Sequence, residues 1–171
     1  MTTRRFRHLP LWLGAATFLV IPAIAMQFSN EISWGVEDFA VLGALLLAFC
    51  GTIELAARTS MNRLFVSGVA LAAAGGFLLV FINLAVGVIG DEGNPRNLVF
   101  FAIPTLGFLG ALISRFRPSI LIQLLFAMAA IQVVAAFLAP VEMMRLMIPF
   151  TAVFVGIWLI SALLIRRSIR P

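Results

Sequence analysis

With 171 residues, 63% of them hydrophobic and only 11% charged, the chain is too apolar for a water-soluble domain, in which roughly half the residues are apolar and a quarter charged. Its net charge of +5 does not point to nucleic acid, because the arginines flank apolar stretches, where they act as retention charges and headgroup anchors. A single cysteine, Cys50, and a single histidine, His8, exclude an intramolecular disulfide, a thiolate metal cluster and a bis-histidine haem.

Six apolar spans follow one another, at 9–28, 39–57, 64–89, 98–113, 120–139 and 146–165. All but the fourth are long enough for a helix to cross a hydrocarbon core about 30 Å thick. The first span, with Arg4, Arg5, Arg7 and His8 before it and Ala23-Ile24-Ala25 within it, also has the form of a secretory signal; its length suits a membrane span. Trp34 in the following connection is an interfacial anchor. Between spans two and three, Arg58-Thr59-Ser60-Met61-Asn62-Arg63 is a tight polar turn. Gly90-Asp91-Glu92-Gly93-Asn94-Pro95-Arg96-Asn97 is a dense breaker cluster. Pro95 biases Asn94 away from helix, and Asn97 is placed to cap span four. Pro118 opens span five at a favoured first-turn position, and Pro140 closes it.

Threading these spans alternately places Arg4, Arg5, Arg7, Arg58, Arg63, Arg115, Arg117, Arg166, Arg167 and Arg170 on one side. Only Arg96 and Arg145 of the twelve basic residues fall on the other. The positive-inside rule then puts both termini in the cytoplasm. Glu31, Glu37, Asp38, Asp91, Glu92 and Glu142 sort to the outer side, which leaves Glu54 as the one acid on the inner side and inside a span. The expected fold is all-α: one polytopic membrane domain over 1–171, a bundle of six helices in contact with the lipid bilayer.

Few residues offer chemistry. An intramembrane carboxylate such as Glu54 is a functional-site hypothesis by default, but Arg58 lies four residues on, the favourable spacing for a local ion pair. Asn83, Gln123 and Gln132 are amides within spans and should face protein or a wet cavity, most simply in interhelical hydrogen bonds. Asp91, Glu92 and Asn94 form an outer acidic turn. Pro22 and Pro104 can kink their spans. Two short matches, Phe18–Ile24 with Phe100–Leu106 and Ile53–Ala57 with Ile131–Ala135, hint at an inverted repeat. Enzymatic patterns are missing: all twelve basic residues apart from His8 are arginine, and neither HExxH nor CxxC occurs. No catalytic residue, cofactor or metal is expected.

Small residues recur every four positions. Ala40, Ala44 and Ala48 do so on span two, and Gly68, Ala72 and Gly76 on span three, with Gly107/Ala111 and Ala152/Gly156 later. Such faces let helix backbones approach closely and suit an intramolecular bundle, a homo-oligomer or a hetero-complex.

The run from Asn83 to Asn97 (Asn83-Leu84-Ala85-Val86-Gly87-Val88-Ile89-Gly90, then the acidic Asn-Pro turn), with Trp34…Glu37-Asp38-Phe39 and Glu54-Leu55-Ala56-Ala57-Arg58 before it, resembles a family of small bacterial inner-membrane proteins. The resemblance implies the same six-span architecture in a bacterial inner membrane and supplies no activity. Two functions follow as expectations. The first is a non-catalytic accessory, scaffold or assembly subunit acting through helix contacts. The alternative is a small oligomeric transporter or channel using Glu54, Asn83 and Gln132.

Overall fold

The computed structural model describes residues 9–28, 34–91 and 93–169. Arg4, Arg5, Arg7, His8, Glu31, Glu92 and Arg170 lie outside these described residues. The chain forms α1 (Leu9–Phe28), α2 (Val36–Thr59), α3 (Arg63–Val86), α4 (Leu98–Ile113), α5 (Pro118–Ala136) and α6 (Met144–Ser168). Short 3-10 turns at Pro95–Asn97 and Val141–Met143 lead into α4 and α6. No strand occurs among the described residues, and all six helical segments are long and apolar enough to cross a membrane.

Segment ends follow local chemistry. The fourth span, too short from its apolar run alone, gains length from its 3-10 entry, so that the segment runs over Pro95–Ile113 (19 residues). At about 1.5 Å per α-helical and 2.0 Å per 3-10 residue, it reaches the roughly 30 Å of a hydrocarbon core. Asn94 is extended, at φ −69° and ψ 122°, and its side chain accepts from the Arg96 backbone N–H. Span three stops at Val86, three residues before its apolar run ends, because Gly87 takes φ 70° and ψ 146°. That conformation is open to glycine and strained for other residues. Asn62 caps α3 by accepting from Leu64 N. Pro118 stands in the first turn of α5 as expected.

The turn between α4 and α5 is built without glycine. Arg115 and Phe116 both have positive φ, 50° and 59°, and Phe116 N donates back to Ala111 O at 3.0 Å, the closing bond of a Schellman-type helix end. The Phe116 ring is buried, so its burial offsets a backbone that costs about 1–2 kcal/mol per left-handed residue.

By their contacts the helices group into two compact units, the first ending at Glu54 and the second beginning at Leu55. In the second unit each helix packs on its neighbours in a closed cycle, α3 on α4, α4 on α5, α5 on α6 and α6 on α3. The short connections make these neighbours antiparallel. Asn62 Nδ2 donates to Ser168 O at 3.0 Å, joining the start of α3 to the end of α6. Glycines set the helix spacing: a Cβ on Gly68 would stand 2.9 Å from Ser161 O, and one on Gly75 would stand 2.6 Å from Ile157 Cγ2. A Cβ on Gly107 or Gly110 would run into Met128 or Leu124 of α5. An aromatic ladder, Phe100, Phe150, Phe154 and Trp158, fills the core between them, with ring centroids 4.8–6.3 Å apart.

Arginines gather at one end of this unit: Arg63 at the start of α3, Arg115 and Arg117 between α4 and α5, and Arg166 and Arg167 in the last turn of α6. Arg96 and Arg145 stand at the other. Some of the charges also match the helix dipoles, with Glu37 and Asp38 in the first turn of α2, Arg58 in its last, and Arg166 and Arg167 in the last turn of α6. Arg63 opposes its dipole by opening a helix, so its place fits the membrane-side rule better than helix electrostatics.

Candidate functional site

Glu54 lies in the interior of α2, and its Oε2 accepts a hydrogen bond from Trp12 Nε1 at 2.8 Å. This bond joins α1 to α2 within the first unit. Arg58, one turn further along α2, is exposed. Sequence reasoning did not single out Trp12, although an indole N–H in a span needs an acceptor and Glu54 is the strongest one in the apolar segments.

Asn83 and Asn97 form a clamp. Asn83 Nδ2 donates to Asn97 O at 3.0 Å, and Val88 N donates to Asn83 Oδ1 at 3.2 Å. Asn97 Oδ1 accepts from Ile89 N at 2.8 Å and from Val88 N at 3.2 Å. Its Nδ2 donates to Asp91 O at 2.6 Å and, at 3.4 Å, to Ile89 O. Both asparagines are buried, as are Val88 and Ile89 between them. The segment after α3 thus folds back into the core, with its backbone polar groups matched by amides that take the place of water. Asn97 was expected to cap α4, but its side chain makes no capping bond; it serves this loop instead. The acidic turn shares the arrangement, since Asn94 caps the 3-10 turn and Asp91 contributes its carbonyl while lying exposed.

The other two amides part company. Gln123 is exposed on α5 and makes no interhelical hydrogen bond of the kind expected of the span amides as the simplest case. It lies about one and a half turns into the helix, close enough to the interface for a polar head to reach water. Gln132 is fully buried, and neither its Nε2 nor its Oε1 has a hydrogen-bond partner. Glu54 therefore belongs to the first unit, while Asn83 is committed to its loop and Gln132 sits unpartnered in the second.

The small-residue faces also divide. Gly68 and Gly76 of α3 and Gly107 of α4 are occupied by neighbouring helices. On α2, by contrast, a Cβ added to Gly43 or Gly51 meets nothing within 4 Å. At about 100° per residue, Ala40, Gly43, Ala44, Leu47, Ala48 and Gly51 fall within roughly 140° of one another. None of them is buried, while Leu42, Leu46, Cys50, Thr52 and Ala56 are. The small-residue side of α2 is therefore its less buried side. Ala152 and Gly156 make a shorter open patch on α6. The chain matches no protein-family profile, no curated protein and no solved structure.

Proposed function

We propose that this protein is a non-catalytic integral membrane subunit that assembles with another membrane protein by docking a partner helix on the open face of α2. The observation that carries the reading is the contrast among glycines: those of α3 and α4 are filled by their own neighbours, whereas Gly43 and Gly51 face open space. Lipid chains fill a flat, small-residue face less well than a helix does, so such a face gains dispersion contacts when a second backbone closes on it. The ten-to-two arginine distribution supports cytoplasmic termini, and the resemblance carried by the Asn83–Asn97 segment supports a bacterial inner membrane.

A transporter built on Glu54, Asn83 and Gln132 has less support. Both polar ends of the Asn83 side chain already serve the loop it holds, and its burial sets it in the packed core.

Photo-crosslinking in the native membrane tests the proposal. A photoreactive residue at Ala44 or Ala48 should give one discrete protein adduct, whereas the same probe at Val153, exposed on α6, should give lipid adducts. Identical lipid-only labelling at both helices would refute docking on α2.

A further inference from the structure

Five buried side-chain atoms in the four-helix unit have no hydrogen-bond partner: Nε2 and Oε1 of Gln132, Oγ1 of Thr151, Nε1 of Trp158 and Oγ of Ser161. They are not scattered. Thr151, Trp158 and Ser161 fall on one buried face of α6, within about 80° at 100° per residue and over about 15 Å of helix axis. Gln132 lies on the inward face of α5, which packs directly on α6. It is four residues before α5 ends, and Thr151 is seven residues after α6 begins. Those offsets are about 6 and 10 Å of rise, so the two side chains sit at neighbouring levels.

Such a set is costly when dry, because each unpaired polar atom forfeits its hydration, and lipid outside the helices offers no substitute. Its chemistry is also complete for water. Trp158 Nε1 and Gln132 Nε2 can only donate, Gln132 Oε1 can only accept, and the two hydroxyls do both. A buried water needs two to four such partners. No charged side chain belongs to the set, so nothing in it favours an ion.

We propose that the α5–α6 seam of the four-helix unit binds internal water, at least one molecule near Gln132 and Thr151 and one near Trp158 and Ser161. The Phe154 ring, 6.3 Å from that of Trp158, separates the two positions. All five atoms are enclosed by the packing, so water enters when α5 and α6 part locally rather than through a standing channel. This seam is independent of the open face of α2.

The three tryptophans make the test specific. In 15N spectra of the full chain in lipid nanodiscs, Trp158→Phe identifies the Trp158 indole resonance. Its proton should show magnetisation transfer from water, and Ser161→Ala should weaken that transfer at least about threefold. The absence of any transfer in the wild-type chain would overturn the proposal. A second measurement guards against a silent spectrum. Thr151→Val and Ser161→Ala should leave Tm unchanged or lower, since each removes a group that water satisfies. A rise of more than about 3 °C in either would mean that the seam is dry and its polar atoms unpaired, which also overturns the proposal.

Discussion

The two units treat the same residue types in opposite ways. On α3 and α4 of the four-helix unit, glycine is where another helix already lies: Gly68 holds α6 so close that a single added carbon would stand 2.9 Å from a backbone oxygen. On α2, Gly43 and Gly51 have nothing against them, and α1 has no buried residue at all. Polar groups differ as well. The Asn83–Asn97 clamp is held by its own loop, whereas the bond from Trp12 to Glu54 and a weak 3.9 Å contact of Cys50 with Leu11 O reach between α1 and α2. The lesson is that small residues and span polars acquire meaning only from what occupies the space beside them.

The largest effect that would sharpen this contrast is expected at Gly68. Gly68→Val forces α3 away from the Ser161 backbone and should cost about 3 kcal/mol or more, seen as loss of a monodisperse species in detergent. Gly43→Val and Gly51→Val should leave monodispersity and thermal stability of the isolated chain within about 0.5 kcal/mol. If both sets prove equally damaging, the distinction between filled and open glycines fails.

Next in size is Asn97→Leu. It removes a side chain serving Val88, Ile89 and Asp91 and leaves buried backbone groups unpaired, at about 1–3 kcal/mol each. Hydrogen exchange at Val88 and Ile89 should accelerate strongly while α5 stays protected; unchanged exchange would mean that packing alone holds the loop. Trp12→Phe keeps a single aromatic ring and deletes the bond to Glu54, a loss of about 0.6–2 kcal/mol for an interhelical hydrogen bond in a membrane. Disulfide trapping between cysteines placed in α1 and α2 should become less efficient, with the four-helix unit unaffected. The smallest expected effect is a gain: Arg115→Gly relieves the left-handed backbone at φ 50° and should raise stability by about 1 kcal/mol, read as a higher Tm.

The sequence made the helices legible because lipid leaves the backbone few alternatives, and hydrophobic length alone then marks each crossing. Their ends were legible where proline or asparagine forces them, as at Pro118 and Asn94. The stop at Val86 was not, because Val88 and Ile89 are as apolar in a buried loop as in a helix, and only the geometry of Gly87 distinguishes the two. The arrangement around Asn97 was hidden for a related reason: an asparagine before a helix usually caps it, and here long-range geometry redirects the side chain. Nor could spacing separate Gly43 from Gly68, since both belong to the same small-residue pattern. Trp158 and Ser161 carried no signal as a pair, because each is ordinary in a membrane helix until both are found enclosed on the same face.

Docking on α2 is tested most directly by native mass spectrometry of the protein extracted from its own membrane with lipid retained, with wild type compared against the Gly43→Leu/Gly51→Leu double variant. The account predicts a heteromeric mass for the wild type and the lone chain for the variant. A lone wild-type chain, or a complex that survives both substitutions, would contradict it.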